Sequence, residues 1–463
     1  MTIPSELDTI AAISTPPGES GIGIVRVSGP EAVAVVSRLF RPKGGRRCLE
    51  SHRVYYGEIL DPADGGVIDE VLVLFMGKPR SYTREDVVEI QCHGGFLVLG
   101  RILECVLEQG ARLAEPGEFT KRAFLNGRID LVQAEAVIET IRARTEAGLR
   151  VASEQLRGRL SGEIGEVRGL LLGVLAEIEA GLDFPEEDVG DVDAGGIERD
   201  LERVDSRLEE LVLSFDQGRV LREGALVGIV GRANVGKSSL LNALVGDERA
   251  IVTRVAGTTR DVIEETVTVC GLMLRIADTA GLRRWRNEVE KEGVRRTRRV
   301  VEEADLLLVV VDGSRRLSAE DRRIFDLVRD RRYMVVLNKL DLPRRVTVEE
   351  LGSAFPGAEA VEVSARTGEG IGRLREAVCG RAMEGWVGGR EGRSVIMEAR
   401  HKEKLEEAAG AVARARKGIQ GGVFPEVVAV EIRSALERLG EIVGEGVSEE
   451  VLDEIFGRFC IGK

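Results

Sequence analysis

At 463 residues the chain has room for two to four domains of roughly 100–200 residues, each able to bury a core. Its 43% hydrophobic content and net charge of −13 suit a globular protein and exclude a broad cationic coat for nucleic acid, though not a local basic site for a structured RNA. Six cysteines without a CxxC pair and three histidines argue against a zinc site and a disulfide framework; no apolar run reaches the ~18 residues of a membrane span, and MTIPSELDTI lacks a signal-peptide pattern, so a reducing cytoplasm and no membrane contact are expected.

Residues 1–120 mix short apolar runs with turns. Ile22–Val27 and Val71–Phe75 read as buried strands, and Leu97–Leu107 as a helix ended by Gly110, which makes this segment α+β. From about Ala123 to Gly218 the period becomes helical. Leu131, Ala134, Ala136, Val137 and Ile141 form one stripe. Leu170, Leu171, Val174, Leu175 and Ile178 form a second, and Leu201, Val204, Leu208 and Leu211 a third. The acidic stretch from Phe184 to Gly196 reads as a loop between them. From Ala225 to Cys379 strand-like runs alternate with helical ones, the sign of a parallel sheet covered by helices on both faces. Helices return after about Ala382, at Arg393–Lys417, Pro425–Leu439 and Ser448–Phe459.

A helix with one apolar face must bury it. The simplest solution packs the helices before Val220 against those after Ala382, with the α/β domain as an insertion. The predicted fold is therefore multidomain, α/β plus all-α. An N-terminal α+β domain covers 1–120 and a first helical part 121–219. A P-loop α/β domain covers 220–382 and a second helical part 383–463.

Leu226–Val230 runs into Gly231-Arg232-Ala233-Asn234-Val235-Gly236-Lys237-Ser238, a GxxxxGKS loop, and Ser239–Leu244 continues as a helix. The glycines let backbone N–H groups converge on phosphate, Lys237 adds a point charge, and the Ser238 hydroxyl suits magnesium. Leu272–Ala277 ends in Asp278-Thr279-Ala280-Gly281. Asp278 suits the magnesium through water, and the Gly281 amide suits a γ-phosphate. Tyr333–Leu337 ends in Asn338-Lys339-Leu340-Asp341, whose carboxylate suits the two N–H donors of guanine. Val361–Val363 leads to Ser364-Ala365-Arg366, which suits the guanine carbonyl. Four pieces in this order resemble the translation-factor-type GTPases, and GTP rather than ATP is the expected nucleotide.

In Ras-like proteins a glutamine after DxxG orients the attacking water. Here that position is Leu282, so hydrolysis needs another group. Asn234 has an amide oxygen suited to a cation. Thr259, in Gly257-Thr258-Thr259-Arg260-Asp261, is the natural magnesium ligand with Ser238. Glu290 follows DxxG; the residues alone leave it open whether it orients water or is a solvated loop charge.

The segments Ile251–Asp261 and Asp278–Glu290 resemble the MnmE (TrmE) family of tRNA wobble-uridine modification GTPases. So do Asp8–Ala12, Thr15–Gly29, Glu85–Glu89, His93–Gly95, Pro116–Gly127, Asp130–Ala136 and the end Cys460-Ile461-Gly462-Lys463. The resemblance implies potassium held by Asn234, Thr253, Val255 and Thr258, with Glu290 as the catalytic glutamate alongside Lys237 and Thr259. It implies a homodimer in which two GTP-bound domains close on each other. It further implies a formyl-tetrahydrofolate-type one-carbon donor, 5-formyltetrahydrofolate or a relative, at Arg26, Glu89, Arg128 and Lys463 of a folate-binding-type N-terminal domain. Its partners would be tRNA and a flavoprotein of the MnmG (GidA) type. No GxGxxG follows a strand in the N-terminal region, so flavin is not expected here.

Two departures stand out. Ala233 and Val235 flank Asn234 where the family often has Pro and Ala, and the segment Arg283–Arg299 is more basic than expected. Cys460 reads as a packed or positioning thiol as well as a catalytic one. A pure switch GTPase, or a folate enzyme regulated by GTP, remain the competing readings.

Overall fold

The computed structural model describes residues 8–44, 48–183, 194–246, 264–278, 298–382, 394–422 and 424–463. The chain forms two compact units. One comprises Met1–Ile141, Glu154–Val204 and Glu407–Lys463; the other comprises Arg142–Ser153 and Asp205–Glu406.

The first unit holds a seven-stranded sheet. Its strands are β1 (Ile10–Ile13), β2 (Ser20–Ser28), β3 (Phe40–Pro42), β4 (Arg53–Leu60), β5 (Val67–Met76), β6 (Val87–Gly94) and β7 (Arg112–Leu113), in the order β3-β4-β5-β6-β2-β1-β7. Only β1 and β7 pair in parallel. Helices Ala32–Leu39 and Phe96–Glu108 cover one face. Their Val35, Val36, Leu39, Leu99, Ile102 and Val106 join Val25, Val27, Val73 and Ile90 in a core. Each such aliphatic side chain gains about 1.5–3 kcal/mol by leaving water. The two strands read from the sequence are present and longer than expected, but each is buried on one face only, with Ile22 and Leu72 exposed. β4 was not readable, because Val54 and Tyr56 are apolar yet exposed, which blurs the two-residue period.

The helical segments on either side of the α/β stretch share cores. Leu131, Ala134 and Ile138 of helix Leu131–Arg142 meet Leu452, Ile455 and Phe456 of helix Glu449–Gly457, together with Phe459. Helix Arg159–Asp183 packs along helix Pro425–Val443. Two boundaries differ from expectation. Of the acidic loop, residues 184–193 lie outside the described residues, and helix Ala194–Leu213 already includes Gly195 and Gly196. The helix expected from Arg393 begins at Ala399. The reason is burial: Ile396 and Met397 are inside, and the Ile396 amide donates to Ser214 Oγ at 3.1 Å. Gly218 makes room for this strap, since a Cβ there would lie 1.9 Å from Ile396 O.

The second unit holds β8 (Ala225–Val230), β9 (Glu264–Val269), β10 (Leu272–Asp278), β11 (Leu306–Asp312), β12 (Tyr333–Asn338) and β13 (Ala360–Glu362), ordered β13-β12-β11-β8-β10-β9. Five strands are parallel; β9 is an antiparallel edge joined to β10 in a hairpin, which the expectation of a parallel sheet missed. Alternate residues of β11 enter two cores. Leu306, Leu308 and Val310 face Leu240, Leu244, Leu374 and Val378, while Leu307, Val309 and Val311 face Val328, Leu351 and Phe355. Burial on both faces explains the unbroken apolar run. The loops after β8, β11, β12 and β13 leave the same edge of this sheet, where doubly covered parallel sheets place ligands.

Candidate functional site

The phosphate loop follows β8. Asn234 lies in the left-handed region (φ 65°), which asparagine tolerates. Gly236 (φ 97°) cannot be replaced: a Cβ there would lie 2.4 Å from Asn338 Nδ2. Helix Lys237–Val245 starts immediately afterwards, so its first amides face the loop with no helical carbonyl to bond. Ser238 and Ser239 are exposed in its first turn. Lys237 is only 8% exposed, and its Nζ donates to Gly231 O at 2.6 Å and Arg232 O at 2.8 Å. These bonds hold the ammonium across the loop from the helix start.

Two side chains at the end of β12 brace this loop. Asn338 Nδ2 donates to Val235 O at 2.8 Å, and the Ala365 amide donates to Asn338 Oδ1 at 3.0 Å. One buried amide therefore ties the phosphate loop to the loop after β13. Lys339 Nζ donates to Asn234 O at 2.9 Å and to Asp312 Oδ2 at 2.7 Å. Burial alone would raise the Asp312 pKa; hydrogen bonds from Lys339 and Ser314 outweigh it and hold the carboxyl below its ordinary value. Asp312 was not singled out in the sequence, although it ends the apolar run of β11.

Asp341 receives Ser364 Oγ at 2.7 Å on Oδ1, and Arg366 Nε lies 3.1 Å from Oδ2. The Ser364 hydrogen bond, with help from the Arg366 charge, keeps its pKa below the usual carboxylate value. Asp341 is thus a fixed acceptor at neutral pH, aimed by the loop that would cover the base carbonyl. A carboxylate accepting two N–H groups fits guanine and not adenine, whose matching edge lacks that pair of donors.

The structure brings together Asn234, Val235, Gly236, Lys237, Asn338, Lys339, Asp341, Ser364, Ala365 and Arg366. Thr253, Val255, Thr258, Thr259, Thr279, Ala280, Gly281, Glu290, Leu282, the basic segment Arg283–Arg296 and the Asp278 side chain lie outside the described residues.

A second site lies in the first unit. Arg26 and Glu89 face each other across β2 and β6, and Arg26 Nε and Nη2 both reach Glu89 Oε1, at 2.9 and 2.8 Å. At 15% and 13% side-chain exposure, this pair is more than surface decoration. The Arg26 guanidinium stacks on Tyr82 at 5.4 Å, and Arg128 stacks on the same ring at 4.8 Å. The Tyr82 hydroxyl shares a 2.9 Å hydrogen bond with Thr120 Oγ1. Arg26, Tyr82, Glu89 and Arg128 line a groove of 620 Å³ together with Arg80 and Arg84. Tyr82 escaped the sequence reading; an aromatic set among arginines and turn residues was the available signal.

The chain's last residues reach this neighbourhood. Ile461 pairs with Pro116, the Phe119 amide donates to Lys463 O at 3.1 Å, and Arg26 Nη1 donates to Gly462 O at 3.4 Å. Gly462 (φ 91°) allows the approach, since a Cβ there would lie 2.4 Å from Ile13 O. Burial, then the Arg26 charge, lowers the Lys463 pKa. Cys460 is exposed.

A strand, a GxxxxGKS loop and a helix, with the Asn338–Asp341 and Ser364–Arg366 loops on the same sheet edge, are the features of a P-loop guanine-nucleotide-binding protein. The description MnmE helical domain matches residues 131–460, and GTP-binding protein TrmE N-terminus matches residues 9–128. The tRNA modification GTPase MnmE of Geobacter sulfurreducens is 49% identical over 98% of this chain and 99% of its own length. That of Geobacter metallireducens is 50% identical at the same coverage, and that of Acetivibrio thermocellus 44%. A crystal structure of Aquifex aeolicus Era bound to GDP.AlF4− is 25% identical over 40% of this chain and 66% of its own, with a TM-score of 0.30. The chain belongs to the MnmE (TrmE) family and is a GTP-hydrolysing enzyme. Among the described residues, no helix is long and apolar enough to cross a membrane.

Proposed function

We propose that this enzyme couples GTP hydrolysis to tRNA modification at C5 of the wobble uridine, adding an aminomethyl-type group with a flavin-dependent partner of the MnmG type. The observation that carries the reading is the pairing of a guanine site with a separate cationic groove in one chain. The groove residues fit a folate. Glu89 accepts from an amino edge, Tyr82 offers a ring to stack on, and Arg26 and Arg128 meet carboxylate or carbonyl oxygens, with Lys463 of the adjoining tail as a third cation. A bound tetrahydrofolate derivative would supply the one-carbon unit.

On this reading residues 1–120 form the folate-binding and dimerising domain, and 220–382 form a G domain inserted between helical parts 121–219 and 383–463. The protein acts in the cytoplasm as a homodimer. Ser238 and Thr259 hold magnesium, which neutralises phosphate charge. Asn234, Thr253, Val255 and Thr258 hold potassium, which supplies the positive charge that an arginine supplies elsewhere. Lys237 steadies the phosphates and Glu290 orients water. The left-handed Asn234, braced through its carbonyl by Lys339, supports the cation role by fixing where its side chain starts.

GTP turnover is measured in potassium and in sodium at equal ionic strength, on wild type and Glu290→Ala. Strong potassium stimulation that the variant loses is expected. Equal rates in both salts would remove the potassium site and closure-driven hydrolysis from the reading.

A further inference from the structure

Strands β9 and β10 are joined by Cys270 and Gly271 alone, with Val269 paired to Leu272. Both turn residues have positive φ, 51° and 76°. This is the geometry of a tight hairpin turn in which Asn or Gly is favoured at the first position. Cysteine has no conformational advantage there, so its presence calls for another reason. Its side chain gives one. Cys379, in the last turn of helix Ile371–Ala382, donates its thiol at 3.2 Å to Val269 O, the carbonyl of the peptide bond that leads into Cys270. The Cys379 sulfur thus lies against the backbone immediately before Cys270. Cys270 is exposed and Cys379 is buried in the core beneath the hairpin.

We propose that Cys270 and Cys379 are a reversible redox pair, closed to a disulfide by a peroxide, which clamps the β9–β10 hairpin to the helix behind the guanine loop. The division of labour follows from exposure. Burial, and then the neighbouring Cys270, pushes the Cys379 thiol up to about 12, so alone it is inert. Cys270 meets the oxidant first. Its thiolate attacks one peroxide oxygen, an S–O bond forms, the O–O bond breaks, and the departing hydroxide takes a proton to become water. The Cys379 sulfur then attacks the sulfenic sulfur. An S–S bond forms, the S–O bond breaks, and the second hydroxide leaves as water with the thiol proton. Two thiols and one hydrogen peroxide give one disulfide and two waters, with two electrons passing to the peroxide.

The clamp closes a loop of roughly a hundred residues, where a cross-link constrains the unfolded chain most. It also ties down a hairpin whose ends lead into 247–263 and 279–297, the two segments that carry the expected Thr259, Gly281 and Glu290. GTP turnover should therefore slow in the oxidised protein and recover with dithiothreitol.

The full chain is treated with hydrogen peroxide, quenched with catalase and digested without reductant for peptide mass mapping. The expected result is a Cys270–Cys379 cross-linked peptide, a thermal midpoint several degrees higher, and a several-fold fall in turnover that dithiothreitol reverses. Cys270→Asn suits the turn, so it should fold well, keep the reduced-state rate and lose all three effects. The proposal is overturned if the peroxide dose that oxidises exposed Cys460 leaves Cys270 and Cys379 unlinked. A cross-linked protein with unchanged turnover overturns the clamp.

Discussion

In the nucleotide unit, each contact that shapes the site comes from loops at the ends of adjacent parallel strands, and the chemistry sits in runs of three to eight consecutive residues. The groove of the first unit is built otherwise. One cross-strand pair, one ring from a turn, one arginine after a helix and the residues 460–463 meet from four distant places in the chain. Parallel topology concentrates a site; a mixed sheet with a returning tail gathers one. The first kind is held by short braces such as Asn338, and its failures should be local. The second depends on the packing of its whole unit.

The largest test of this contrast is Phe119→Ala. Phe119 is fully buried among Ile10, Ala12 and Ala114, lies 5.7 Å under the Arg26 guanidinium, and receives the tail on its amide. Its truncation should cost about 3–5 kcal/mol. Calorimetry should show the transition of the first unit falling while GDP affinity, measured by titration, stays within twofold. Loss of both together would mean that the two sites share one folding unit.

Asp341→Asn should act the opposite way. It removes a charged acceptor worth about 2–3 kcal/mol, so GTP affinity should drop roughly a hundredfold. Xanthosine triphosphate, which offers a carbonyl to the new amide N–H, should gain. The thermal transition of the first unit should not move. Unchanged GTP affinity would take the base-reading role away from Asp341.

The smallest effect is acid sensitivity. Glu118 pays for burial, but Arg112, the Glu115 amide and Arg122 bring its pKa below the ordinary value; Asp8 is likewise lowered by Arg112 and Arg122 against burial. Lower folded than unfolded values mean that the stabilisation is complete above about pH 5 and lost as pH falls through the folded values. Thermal melts of Glu118→Gln and wild type should therefore differ at pH 7 and converge as the pH falls towards 3. A gap that does not narrow at all as the pH falls below about 4 would show that charge is not what Glu118 contributes.

The same contrast explains what could be read beforehand. Gly231–Ser238, Asn338–Asp341 and Ser364–Arg366 announce themselves because a run of adjacent residues carries the chemistry. Arg26 and Glu89, 63 positions apart, look like two unrelated charges until β2 and β6 are paired, and only the family resemblance joined them. Asp312 reads as the end of an apolar strand; its hold on Lys339 exists only once β11 and β12 lie side by side. The strap at 394–398 was read as helix because its periodicity suits one, and burial of Ile396 overrode it. The amphipathic helices, in contrast, announced that segments on either side of the α/β stretch must meet, since their stripes had nowhere else to go.

The tail set against Pro116, Phe119 and Arg26 also has a consequence for birth order. A nascent chain can pair β1 through β7 long before residues 460–463 leave the ribosome tunnel, but it cannot finish the groove. The groove of the first unit therefore waits for residues 460–463, although all seven strands of its sheet precede them in the chain. A variant cut before Cys460 would then lose the wall that Ile461, Gly462 and Lys463 form against Pro116, Phe119 and Arg26.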